Sequence, residues 1–465
     1  MDRRLCVHLC CLLSACALAA VSGAPIQSAP VTGKFWHISD LHLDATYHVS
    51  EDHSQVCLSS KGHEALNPGE FGDYMCDSPY ELILSAFDFM KRSGQLTDFI
   101  IWTGDSPPHF LVEKLSTDIV VQILSNMTST IRKYFPELMV YPALGNHDYW
   151  PQDQFPNSTN KIYQAAADLW EPWLKTEAIK TLRAGGFYSQ LVQPGLRVVS
   201  LNTNLYYSPN KVTTNMTDPA GQFRWLMETL ESSRQNAEKV YIIAHVPIGY
   251  LPQCNSTTAM REVHNERLVQ IFRKYGDVIA GQFYGHTHRD SVMVLLDDQG
   301  KPVSSVFVTP AVTPIKDASE PYSNNPGVRL YKYDPRSFGM LDVVQYFLNL
   351  TEANEERKAD WKLEYVMTEA FDINDVEPQS LQKLARSFAG CRSEAFQKYF
   401  NHFMIALEKS IHSKPSPEPN LAAQGWRGRG HTQDGTPVRR KAPQAGLEPQ
   451  IHQRAGPSQT CCTTV

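Results

Sequence analysis

Five short clusters bring together residue types that can bind metal ions: Asp40-x-His42, Gly104-Asp105, Gly145-Asn146-His147-Asp148, His245 and Gly285-His286-x-His288. Carboxylate, amide and imidazole groups supply the oxygen and nitrogen donors that borderline divalent cations prefer. The D-x-H spacing lets two side chains reach one ion from a single turn, and G-H-x-H does the same from elsewhere in the chain. Asp105 stands in the middle of the set and could bridge two ions. A lone D-x-H is more often two unrelated polar residues. Five clusters, each after an apolar run, are a strong pattern.

Those runs are the elements that must position the donors. Phe35–Ile38, Phe99–Trp102, Leu138–Leu144, Val240–Ala244 and Val278–Tyr284 each read as a strand ending at a cluster. Glycines before Asp105, Asn146 and His286 are expected to permit tight turns. Helical patterns lie between the runs. The clearest has Ser78 as N-cap, Pro79 at the first position, Glu81 completing a capping box and Gly94 as the stop. Strands alternating with helices, with chemistry at strand ends, predict a layered α/β protein whose site gathers on one sheet edge. Further strands are expected at Val292–Leu296, Ser305–Pro310 and Val328–Tyr333. Residues 336–412 read as a largely helical C-terminal region, with helices near Gln379–Phe388 and Glu394–Lys409. Residues 413–465, with seven Pro and six Gly and no periodicity, read as a disordered tail.

The chain has 465 residues, 42% hydrophobic and 20% charged, with a formal net charge of -6. That balance offers no basic field for nucleic acid. Arg3 and Arg4 precede an apolar run to Val21 and small residues at Ser22, Gly23 and Ala24, so 1–23 reads as a secretory signal peptide. The run is shorter than the ~20 residues of a membrane span, and no stable membrane anchor is expected. Secretion, with a lysosomal location as a second destination, implies an oxidising compartment. Cys57 and Cys76 are then expected to pair, while Cys254, Cys391, Cys461 and Cys462 have no evident partners. Five sequons, at Asn126, Asn157, Asn215, Asn255 and Asn349, fit a secreted glycoprotein.

The order of the clusters resembles that of the calcineurin-like metallophosphoesterases. Within them, WHISDLHLD (36–44), CDSPYELILSAFDF (76–89), WTGDSPPH (102–109), ALGNHDYWPQDQ (143–154) and AGQFYGHTHRDS (280–291) look like the acid sphingomyelinase-like phosphodiesterases. The similarity runs from about Gly33 to about Ser410. It implies a metallophosphoesterase β-sandwich flanked by helices, over residues 33–335, and two zinc ions. One would be held by Asp40, His42, Asp105 and His288, the other by Asp105, Asn146, His245 and His286. A hydroxide between the ions would attack phosphorus in line. His147 and His109 match family histidines that contact the phosphate and can protonate the leaving oxygen, with His147 the first candidate. Asp44 and Asp148 are expected to orient ligand histidines. His37 and His48 read as core or solvated histidines. Tyr206, Tyr207 and Tyr250 are more simply packing residues than platforms for a base.

Acid sphingomyelinase carries a lipid-handling module before its catalytic domain, and nothing like it stands between the leader and Phe35. The resemblance therefore implies a monomeric phosphodiesterase for small nucleotide-type substrates such as CDP-choline or ATP. A sphingomyelin phosphodiesterase is the alternative enzyme. A catalytically inactive glycoprotein binding module is the alternative outside enzymes, and the intact ligand positions speak against it. Relatives end in a cysteine-rich helical segment, so the tail after about Ser410 reads as a splice variant or a mistaken gene model.

Overall fold

Twelve strands are seen in the computed structural model, which describes residues 32–250, 257–318, 320, 323–388 and 393–405. They are β1 (Gly33–Ile38), β2 (Phe99–Trp102), β3 (Met139–Pro142), β4 (Tyr188–Gln193), β5 (Leu196–Ser200), β6 (Lys239–Ile243), β7 (Ile279–Tyr284), β8 (Ser291–Leu296), β9 (Pro302–Val308), β10 (Gly327–Tyr333), β11 (Met340–Leu348) and β12 (Trp361–Val366). One sheet has the order β12-β11-β10-β1-β2-β3 and the other β4-β5-β6-β7-β9-β8. In the first, β1, β2 and β3 run parallel; in the second, β5, β6, β7 and β9 do. Runs such as Phe99–Trp102, buried at every position, are what a parallel strand covered on both faces requires.

The two sheets are joined by aromatic packing centred on Phe35. Its ring stacks on Phe99 at 4.8 Å and on Tyr331 at 5.0 Å within its own sheet. It meets Phe283 edge-on at 5.3 Å and Tyr241 at 5.6 Å from the other sheet. Each such pair adds ~0.5–1.5 kcal/mol beyond area burial. The expected mixed α/β sandwich with flanking helices is therefore present.

Three expectations need correction. Residues 336–366, assigned to a largely helical region, supply β11, which pairs antiparallel with β10, and β12, which pairs antiparallel with β11. Short helices at Leu350–Glu356 and Met367–Phe371 flank β12, and longer ones follow at Pro378–Ser387 and Glu394–Phe403. The capping box at Ser78 does not form: the helix is Tyr80–Arg92 with Pro79 at its cap and no side-chain cap bond. Ser78 is instead drawn into the donor loop, its N–H donating to His42 O (3.0 Å) and its carbonyl accepting from Asp44 N (2.9 Å). Third, β4 and β5 form a hairpin for which no strand was expected.

Cys57 and Cys76 are disulfide-bonded. Asn126, Asn157 and Asn215 are exposed, whereas Asn349 is 7% exposed and its side chain accepts from Glu352 N. The expected leader (1–23), the tail (413–465), the sequon at Asn255 and Cys254, Cys391, Cys461 and Cys462 lie outside the described residues. Among the described residues no helix is long and apolar enough to cross a membrane.

Candidate metal centre

The donors leave the carboxyl ends of five parallel strands, where open α/β sheets place their ligands. Asp40 and His42 follow β1, Asp105 follows β2, and Asn146 and His147 follow β3; His245 follows β6, and His286 and His288 follow β7. The site is thus shared by the ends of both sheets, where a single sheet edge was expected. Backbone bonds stitch the loops together: Asp40 N donates to Gly104 O (3.0 Å), His42 N to Asp105 O (3.1 Å) and Gly285 N to His245 O (3.1 Å). The Asp40 carboxylate accepts from His286 N at 3.1 Å, crossing between the sheets.

Local strain accompanies this convergence. Asp40, His42, Asp105, His286 and His288 have φ of 51°, 38°, 59°, 76° and 60°. Left-handed backbone at a non-glycine residue costs about 1–2 kcal/mol, though Asp and His tolerate it better than most. The expectation that the preceding glycines make the turns holds at Gly104, with φ 94°. Gly145 and Gly285 serve another need. A Cβ on Gly145 would lie 2.0 Å from Asp105 Oδ1, and one on Gly285 would lie 2.0 Å from Ser39 Oγ.

Two donor groups result. His42 Nε2 lies 3.3 Å from His288 Nε2, 3.7 Å from Asp40 Oδ1 and 3.5 Å from Asp105 Oδ2. His245 Nε2 lies 3.0 Å from Asp105 Oδ2 and 2.9 Å from Asn146 Oδ1, which also sits 2.9 Å from His286 Nδ1. Asp105 belongs to both groups.

Their hydrogen bonds decide which atoms face inward. His42 Nδ1 is 2.8 Å from Pro107 O and His245 Nδ1 is 2.7 Å from Thr103 O. A carbonyl only accepts, so both Nδ1 atoms carry hydrogen and both Nε2 lone pairs point at carboxylates. Asn146 Nδ2 donates to Asp153 Oδ1 (2.9 Å), which turns its Oδ1 towards His245 and His286. Acceptors therefore face acceptors, an arrangement that needs a cation between them. Burial pushes His42 and His245 down, but the Asp40 and Asp105 carboxylates outweigh it and hold both at about 9. His286, buried beside His245, is pushed down to about 3. Against its burial, His245 above all, with His147 and His42, holds Asp105 far below the usual carboxylate range. Divalent ions fit this donor set as well as protons do, and would displace them.

Over the donors lie His109 and His147, their ring centroids 4.3 Å apart and 4.2 and 4.9 Å from that of His42. His109 Nδ1 is 3.0 Å from the buried Asp77 carboxylate, which also accepts from His109 N (2.6 Å) and Thr313 Oγ1 (3.0 Å). His147 Nε2 meets Gln152 Nε2 at 3.0 Å, and among the described residues no carboxylate hydrogen-bonds its ring. Burial lowers both imidazoles, and Asp77 raises His109 in opposition. A cleft of about 430 Å³ opens above, lined by Asp105, His109, Asn146, His147, His286 and His288 among others.

The structure corrects the roles expected of Asp44 and Asp148. Asp148 accepts from Asp105 N (2.9 Å), Ser106 N (3.0 Å) and Gly145 N (2.7 Å), so it shapes the donor loops and touches no ligand histidine. Asp44 accepts from Ser59 N and Oγ and from Thr46. Backbone carbonyls do the orienting instead, and these leave no mark in a sequence. Asp77 and Asp153 were also missed, although both stand inside the quoted motifs. His37 is a core residue, 2.8 Å from Thr103 Oγ1, and His48 is exposed. Of the three tyrosines, Tyr206 is buried against Phe223 (4.5 Å), and only Tyr207 lines the cleft, edge-on to His286 at 4.9 Å.

Behind His288, Asp290 forms a buried ion pair with Arg329 and accepts from Tyr365 OH, tying the donor loop to β10 and β12. Arg329 also donates to Gln345 Oε1 (2.8 Å). Breaking a buried pair strands the surviving charge. Arg329→Met is expected to destabilise the fold by ~3–5 kcal/mol, read from the denaturation midpoint, and Arg329→Met with Asp290→Leu to recover much of that. A double variant no more stable than the single would show that the pair does more than cancel charge.

Residues 33–290 match the family described as calcineurin-like phosphoesterase, and residues 301–416 match the acid sphingomyelin phosphodiesterase C-terminal region. The chain is 62% identical over 381 residues to the Homo sapiens protein named cyclic GMP-AMP phosphodiesterase SMPDL3A, covering 82% of this chain and 84% of that one. Its Bos taurus counterpart is 59% identical over 413 residues, 88% and 92% of the two chains. The Homo sapiens acid sphingomyelinase-like phosphodiesterase 3b is 44% identical over 386 residues, 82% and 84% of the two. Carried by these matches along most of its length, the chain belongs to the acid sphingomyelinase-like phosphodiesterases, built on a calcineurin-like phosphoesterase domain, and is a phosphodiesterase hydrolase.

Proposed function

We propose that the chain is a secreted, two-zinc phosphodiesterase that hydrolyses phosphodiester or pyrophosphate bonds of soluble nucleotide-type substrates. The carrying observation is the Asp105 carboxylate set between His42 and His245, each at the head of a donor group, beneath two further histidines. Asp40, His42, Asp105 and His288 would hold one ion, and Asp105, Asn146, His245 and His286 the other. Bound there, the ions would supply an activated water and neutralise phosphoryl charge. The chain's own residues do the rest. Asp148 and the glycines hold the donor loops in register. Asp77 keeps hydrogen on His109 Nδ1, which leaves Nε2 to carry a proton to the departing oxygen. His147, without a carboxylate partner, steadies the phosphate. The hydrogen bonds thus favour His109 over His147 as the proton donor.

Cyclic GMP-AMP enters as a candidate because the Homo sapiens and Bos taurus relatives carry it in their names. A turnover panel of cyclic GMP-AMP, CDP-choline, ATP and sphingomyelin vesicles tests the reading. Nucleotide-type hydrolysis is expected to exceed that of vesicle sphingomyelin by a wide margin. Equal rates without detergent would favour the sphingomyelin reading.

A further inference from the structure

One wall of the cleft has no part in the chemistry described so far. It is formed by Ser59, Ser60, Lys61 and His63, on the loop closed by the Cys57–Cys76 disulfide. The loop is held firmly. Asp44 accepts from Ser59 N (3.2 Å) and Oγ (2.6 Å), and Ser59 Oγ accepts from Asp77 N (2.9 Å). At its tip Lys61 N donates to Leu58 O (3.2 Å) and His63 N to Ser60 O (3.0 Å).

That turn closes with φ of 54° at Lys61, ahead of Gly62 at 91°. A lysine there costs about 1–2 kcal/mol that a glycine would not, and strain of this kind gathers at ligand clamps. The side chains of Lys61 and His63 stand exposed on the cleft wall with no hydrogen-bond or ion-pair partner among the described residues. The other cations lining the cleft are engaged: Arg289 pairs with Glu320 at 3.0 Å, and Lys316 Nζ donates to Glu320 O at 3.1 Å.

We infer that Lys61 and His63 form a subsite for a second phosphate, the one not attacked, in substrates that carry two. The inference rests on the nucleotide-phosphodiesterase reading above and narrows its substrate class. With one phosphate under His109 and His147, a two-phosphate substrate has a second anion to place in the same cleft. A flexible ammonium beside an imidazole is a point-charge site for it. Both a pyrophosphate-linked nucleotide and a cyclic dinucleotide carry that chemistry.

The test compares wild type with Lys61→Met/His63→Gln on cyclic GMP-AMP, on CDP-choline and on bis(p-nitrophenyl) phosphate, which has one phosphate. The double variant is expected to lose ~10-fold in kcat/KM on a two-phosphate substrate, mostly through KM, the scale of one charge-assisted hydrogen bond. The loss on the one-phosphate ester should be much smaller. Lys61→Arg should retain the preference. Selective loss on cyclic GMP-AMP alone identifies the cyclic dinucleotide as the occupant, and selective loss on CDP-choline alone identifies the pyrophosphate. Equal loss on all three substrates, or none, overturns the subsite while leaving the phosphodiesterase reading intact. A wild-type protein that hydrolyses only the one-phosphate ester overturns both.

Discussion

Asp105→Asn is expected to strip the protein of divalent metal and of nearly all turnover. Asp105 Oδ2 lies 3.5 Å from His42 Nε2 and 3.0 Å from His245 Nε2, so one carboxylate serves both donor groups. Its other oxygen accepts from His147 N at 2.8 Å. An amide removes the negative charge and one acceptor oxygen. Backbone strain does not explain the outcome in advance, because Asn adopts the left-handed region as readily as Asp. Loss of a residue that merely supports a ligand typically costs ~10–100-fold in metal affinity, and a shared ligand should cost more. Metal content and turnover measured on the same purified variant decide the matter. Two retained ions with near-wild-type turnover would rule out the shared-ligand assignment.

His109→Gln should keep both metals and the fold, while turnover of a substrate with an alkoxide leaving group falls by ~10²–10⁴-fold. A nitrophenyl diester, whose leaving group needs little protonation, should lose far less. The reasoning starts from Asp77, whose carboxylate is buried and held well below its usual range by His109 against its own burial. A buried carboxylate at Nδ1 stabilises the imidazolium and fixes the ring. Asp77→Asn should therefore follow the same leaving-group pattern with a smaller loss, ~10–100-fold. His147→Gln should fall equally on both substrates, since its ring has Gln152 for a neighbour and no carboxylate. The leaving-group dependence appearing at His147 and not at His109 would reverse these two roles.

The donors were legible in the sequence because each follows an apolar strand, and strand ends expose short polar clusters whatever the fold around them. Asp40-x-His42 and His286-x-His288 are read in one stretch, and the resemblance adds their grouping. The pairing of Cys57 with Cys76 was also legible from separation and compartment, as were β1, β2, β6 and β7 from predominantly apolar runs. β11 and β12 were not: MLDVVQYFL and WKLEYV mix polar and apolar positions, and only the pairing of β11 on β10 and of β12 on β11 makes strands of them. Ser78 shows the same limit, since its capping pattern loses to a backbone pairing with the donor loop.

What the sequence determined by itself is the inventory of donors and their order. The tertiary structure decided that two sheets contribute to one centre, that Thr103 and Pro107 carbonyls aim the histidines, and that Asp77 belongs to His109. It also put the left-handed conformation on the ligands themselves, which of the three glycines only Gly104 shares. The reason is physical: side-chain identity is local and is written in the text. Which lone pairs point inward depends on backbone atoms brought from distant strands, and every residue carries the same carbonyl.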